Sequence, residues 1–124
     1  MSNVNYSAMS IDELVKRFEE ACLEQYDTYI TDDREKSSKN FWILVSIKDE
    51  LKARGPERRR ALLRLLRHDN PHVRLQAAKF VYPVAREAAK TCLQDIAAAR
   101  LPDQSLDARM TLHRLEEVPD CLDH

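Results

Sequence analysis

Apolar residues recur at three- and four-residue steps along most of this chain, the spacing of one helix face. Ile11, Leu14, Val15, Phe18, Cys22, Tyr26 and Tyr29 make the first such stripe. Ser10 and Glu13 open it as an S-x-x-E capping box, in which each side chain satisfies the other residue's free backbone N–H. The polar run TDDREKSSKN interrupts the pattern, and Asp32 or Asp33 is placed to cap a second helix. That helix has Phe41, Trp42, Leu44, Val45, Ile47 and Leu51 as its apolar positions, with Gly55 suited to end it. Phe41, Trp42, Tyr26, Tyr29 and Tyr82 are expected in the core or at its edge; if Phe41 and Trp42 cannot both turn inward, one becomes an exposed anchor for a partner.

The stretch ALLRLLRHDNPHVRLQAAKFVY, residues 61–82, reads as two helices joined by a tight polar turn. Pro56 opens a third helix over 56–67, with Ala61, Leu62, Leu65 and Leu66 inward. His68, Asp69 and Asn70 form the turn, and Pro71 opens a fourth helix with Val73, Ala77, Ala78 and Val81 inward. Pro83 lacks an N–H and clashes with the carbonyl four residues back, which predicts a break. A fifth helix follows, buried through Ala85, Ala89, Leu93, Ile96 and Ala97 and ending near Leu101–Pro102. Ser105 or Asp107 is placed to cap a sixth, which carries Ala108, Leu112 and Leu115. Residues 1–9 and 119–124 are polar and expected to be flexible.

Val73–Arg74 and Ala108–Arg109 open the fourth and sixth helices at an offset of 35 residues, a weak internal repeat. Paired helices of this kind bury their faces by stacking on their neighbours. With one glycine and five prolines, the chain lacks the turn punctuation that strands require. The predicted class is therefore all-α, an α–α superhelix of about six helices. At 124 residues it is expected to be a single domain.

The segment LLRHDNPHVRLQAA resembles a HEAT-type repeat through Asp69, Pro71, Val73, Arg74, Ala77 and Ala78, with Arg109 as a partial second match beside Asp103 or Asp107. Length and helix layout further resemble a small family of bacterial HEAT-like proteins of unknown function. The resemblance implies repeat hairpins in which Asp69 and Arg74 tie neighbouring units together. It implies a fold and no activity.

Candidate chemistry is sparse. His68–Asp69 invites comparison with metal-dependent HD phosphohydrolases, but the additional upstream His of such a cage is missing. His72 is separated from His68 by the turn, and His113 and His124 join no cluster. P-loop, G-x-S-x-G and H-E-x-x-H patterns are absent, and a single glycine offers no backbone cradle for phosphates. Neither catalytic, cofactor-binding nor metal-ligating residues are therefore assigned, and the chain is expected not to be an enzyme. Cys22, Cys92 and Cys121 form no C-x-x-C pair, and free buried cysteine behaves as a small hydrophobe. The N-terminus resembles no signal peptide and no apolar run is long enough to span a membrane, so a cytoplasmic setting is expected.

Charge sharpens the functional expectation. The net value is −1, yet residues 1–33 carry −6, residues 34–90 carry +9 and residues 91–124 carry −4. Arg54, Arg58, Arg59, Arg60, Arg64 and Arg67 crowd the basic middle, and an α-helix would align Arg60, Arg64 and Arg67 on one face. Arg58, Arg60, Arg64 and Arg67 are the candidate partner-binding face. The expected function is protein–protein interaction without catalysis. The alternatives are nucleic-acid binding through the basic 54–67 face, and an immunity or antitoxin-like role fitting a small chain with acidic ends.

Overall fold

The computed structural model describes residues 4–123, and these hold six α-helices and no strand. Contacts divide the chain into two compact units, Met1–Ala61 and Leu62–His124.

In the first unit, α1 (Ile11–Thr31) begins as the capping box requires. Ser10 Oγ accepts from the Glu13 N–H at 3.1 Å, and the Glu13 carboxylate accepts from the Ser10 N–H at 3.0 Å. Those bonds favour the ionised carboxylate, so the Glu13 pKa lies below its ordinary value. Asp32 takes the left-handed conformation that ends α1, and the Asp33 side chain caps α2 (Arg34–Ala53) by accepting the Lys36 N–H. The two helices pack against each other, with Leu14, Phe18, Ala21 and Cys22 of α1 and Leu44, Ile47 and Leu51 of α2 all buried. Gly55, at φ +107°, makes the turn into α3 (Pro56–Arg59) in a backbone conformation that a side chain would strain.

The third helix departs from expectation. Its α-helical part stops at Arg59, and Arg60–Arg67 is a 3₁₀ helix. Three residues per turn brings Leu62 and Leu65 onto one side, and these are its buried residues. The i, i+4, i+7 alignment expected for Arg60, Arg64 and Arg67 is α-helical geometry and does not describe this segment.

In the second unit, Asn70 caps α4 (Pro71–Val81) by accepting the N–H groups of His72 and Val73. The predicted break at Pro83 is a 3₁₀ turn over Tyr82–Val84. Then come α5 (Arg86–Ala98) and α6 (Gln104–Glu117); α5 packs on both α4 and α6. Ser105 is not the cap of α6. It lies inside the first turn, accepts the Leu101 N–H at 2.7 Å and donates to the Ile96 carbonyl at 2.6 Å, closing the turn between α5 and α6.

Both chain ends expected to be flexible carry specific contacts within the described residues; residues 1–3 and His124 lie outside them. Tyr6–Ala8 forms a 3₁₀ turn. At the other end, Arg86 pairs with Asp123 at 2.9 Å and lies over the Tyr82 ring at 5.1 Å.

Candidate functional site

The largest departure from the buried pattern is on α2. Phe41 is 50% exposed and Trp42 62% exposed, their rings meeting edge to face with centroids 5.3 Å apart. Helical geometry explains why. At about 100° per residue, the six apolar positions expected inward spread over more than half the helix circumference. The arc that is buried consists of Asn40, Leu44, Ile47, Lys48 and Leu51. Trp42, two residues from Leu44, points roughly 160° away from that arc. The fold has buried an asparagine and a lysine in the stripe and left the aromatic pair outside it.

Burying those polar groups has consequences. Asn40 Nδ2 donates to the Lys36 carbonyl at 2.9 Å, while its Oδ1 has no hydrogen-bond partner among the described residues. Lys48 is held below the ordinary lysine pKa, first by burial and then by Arg59 and Lys52, against the opposing charge of Asp49.

Trp42 belongs to the outer stripe Lys39, Trp42, Ile43 and Ser46, at i, i+3, i+4 and i+7. With Val4 and Tyr6 from the N-terminal segment and Arg17 from α1, this stripe lines a groove of about 510 Å³. The volume falls within the roughly 300–1,000 Å³ typical of ligand sites. Arg54 holds one wall in place. Its guanidinium donates to the carbonyls of Tyr6 at 3.1 Å, Ser7 at 3.3 Å and Met9 at 2.7 Å, and pairs with Glu50 at 2.7 Å. The groove's charged residues, Arg17 and Lys39, are both cationic. Arg17 approaches Glu20 at 3.9 Å, long for an ion pair, and Lys39 has no ion pair among the described residues.

The basic run separates into different roles. Arg54 is committed to the N-terminal turn, and Arg59 is only 4% exposed. Arg58 and Arg60 are exposed in the first unit, and Arg64 and Arg67 in the second. Arg67 lines a hollow of about 420 Å³ with Arg74, Glu87, Thr91, Cys92 and Asp95.

Arg74 donates to the carbonyls of His68 at 2.8 Å and Asp69 at 3.0 Å, so it locks its own turn and not a neighbouring unit as expected. Arg109 makes a different contact, donating to the Ala97 carbonyl of α5 at 3.3 Å. Pro71 and Val73 occupy the first turn of α4. The carboxylate bridging two helices of this unit is Asp107, which accepts from Lys79 at 3.2 Å and from Thr111 at 3.1 Å. His68 Nδ1 accepts the Asn70 N–H at 3.0 Å, so that lone pair serves the turn. Among the described residues, no group of three or more His, Cys, Asp or Glu is placed to hold a metal ion. None of the helices among the described residues is long and apolar enough to cross a membrane.

Sequence periodicity favours Phe41 and Trp42 as core residues, with one of them an exposed anchor if both cannot turn inward; the structure exposes both. A helical wheel centred on Leu44 carries the missing signal, since it puts Trp42 opposite.

Comparison with known proteins agrees with the fold. The crystal structure of the protein RPA1889 from Rhodopseudomonas palustris CGA009 superposes with a TM-score of 0.90 at 34% sequence identity. The match covers 94% of this chain and 96% of that one. No curated protein matches. Residues 12–116 match the model of a domain of unknown function, DUF2019, and the chain belongs to that family.

Proposed function

We propose that this chain is a non-enzymatic protein-interaction module of HEAT-like construction, working in a reducing compartment, with Phe41 and Trp42 at the centre of its contact surface. The exposed aromatic pair carries the reading. Tryptophan is enriched among the residues that dominate interface energetics, and a large aromatic side chain removes much apolar area from water when a partner covers it. Keeping two such rings in water while an asparagine and a lysine occupy the buried arc has a solubility cost, which a partner surface accounts for.

Three further observations support the same reading. Arg74 fastens the turn into α4 and Arg109 fastens α6 to the end of α5, contacts suited to paired helices. Arg58, Arg60, Arg64 and Arg67 are exposed and attract acidic partners at long range. The cysteines are free, as in a reducing compartment.

The test is affinity capture from the native cell with quantitative mass spectrometry. It compares the wild type with a Phe41→Ser, Trp42→Ser variant and with an Arg60→Glu, Arg64→Glu variant. The aromatic variant should lose the partner and the arginine variant should capture it more weakly, both remaining folded by circular dichroism. Undiminished capture by the aromatic variant would remove Phe41 and Trp42 from the contact. Nucleic acid captured in place of protein would reverse the reading.

A further inference from the structure

The groove beside Trp42 carries a more specific conclusion, which rests on the interaction reading above. We infer that it receives a short partner segment in which one large apolar side chain is flanked by carboxylates. The apolar side chain packs on Trp42, Ile43 and Val4, and the carboxylates meet Arg17 and Lys39.

Charge complementarity decides the occupant. Every ionisable side chain lining the groove is cationic apart from the phenol of Tyr6, and no carboxylate lines it. Lys39 is exposed with no ion pair among the described residues, and the 3.9 Å approach of Arg17 to Glu20 leaves Arg17 able to exchange that neighbour for a better-placed carboxylate. A volume of about 510 Å³ suits a few side chains better than the broad face of a folded domain. The wall that Arg54 fixes through Tyr6, Ser7 and Met9 makes the groove preformed, which lowers the ordering cost of binding.

A polyanion fits less well. The groove offers two cations, Arg17 and Lys39, enough to meet one or two carboxylates and too few to track a continuous run of phosphates.

The sequence contains a single tryptophan, so Trp42 itself reports occupancy. The probe is a set of synthetic peptides with a central Leu flanked on both sides by Glu, by Gln or by Lys, titrated against the intact protein. Binding is read by anisotropy of a label on the peptide and by Trp42 emission. The Glu-flanked peptide should bind with a blue shift of Trp42 emission, and the Gln-flanked one roughly tenfold more weakly. The Lys-flanked peptide should bind weakest. In an Arg17→Gln, Lys39→Gln variant, with helicity unchanged by circular dichroism, the preference for Glu over Gln should vanish.

Equal binding of the Glu- and Gln-flanked peptides, or a preference that survives in the variant, overturns the inference and leaves the interaction reading standing. So does failure of all three peptides while native capture still depends on Phe41 and Trp42. If oligothymidine alters Trp42 emission where no peptide does, both readings fall.

Discussion

Lowering the pH should destabilise the second unit through one buried imidazole. His72 lies in the first turn of α4 with no exposed surface. Its pKa falls from the ordinary 6.5 to about 4, chiefly through burial; Asp107 opposes the fall and Lys79 adds to it. Between those two values the unfolded chain binds a proton that the folded chain refuses, so stability rises with pH across the window and is fully present above 6.5. Falling from 6.5 towards 4 removes it, and below 4 nothing further is lost to this group. At 1.36 kcal/mol per pKa unit the whole effect is roughly 3 kcal/mol, most of it gone by about pH 4.5. That is a large share of a typical stability of about 5–15 kcal/mol. Urea unfolding followed by circular dichroism at a series of pH values, on the wild type and on His72→Gln, isolates the imidazole. The capping box at Glu13 is common to both proteins and cancels. The wild type should lose the extra stability on acidification and the variant should not, whatever its stability at neutral pH. Parallel losses in the two proteins would refute the argument.

The exposure of Trp42 predicts that Trp42→Ala costs only about 1 kcal/mol, the worth of its edge contact with Phe41, whereas Leu44→Ala costs about 2–5 kcal/mol. Equal costs by denaturant titration would put Trp42 back in the core. Arg54→Ala should free the N-terminal turn, and native-state hydrogen exchange should show lost protection at the Ala8 and Met9 amides, which bond to the Asn5 and Tyr6 carbonyls. Cys121 is only half-buried, while burial pushes the Cys22 thiol well above its ordinary pKa and the Cys92 thiol up to about 11. A thiol reagent should therefore modify one cysteine quickly in the native protein and the other two only on unfolding.

Local chemistry made the helix starts legible. Ser10 and Glu13, Asp33, Pro71 and Pro83 act at short range, and each does what its residue type requires. The misreadings come from choices settled by packing. Ser105 looks like a cap, but a hydroxyl between Leu101 N–H and the Ile96 carbonyl closes a turn instead. RALLRLLR has α-helical composition, yet it folds as a 3₁₀ helix whose two buried leucines, Leu62 and Leu65, stand one three-residue turn apart. On α2, hydrophobicity ranks Trp42 above Asn40 and Lys48 for burial, and the order is reversed because only one arc of the helix is covered. The candidate site was thus present in the sequence as residues, but which arc of α2 the fold covers is a tertiary choice that periodicity alone does not make.

Photo-crosslinking in the native cell asks whether Trp42 touches a partner protein. A benzophenone amino acid replaces Trp42 in one strain and the exposed Lys16 in another. Position 42 should give a discrete protein adduct that is absent from position 16. No adduct at 42, or the same adducts from both positions, would contradict it.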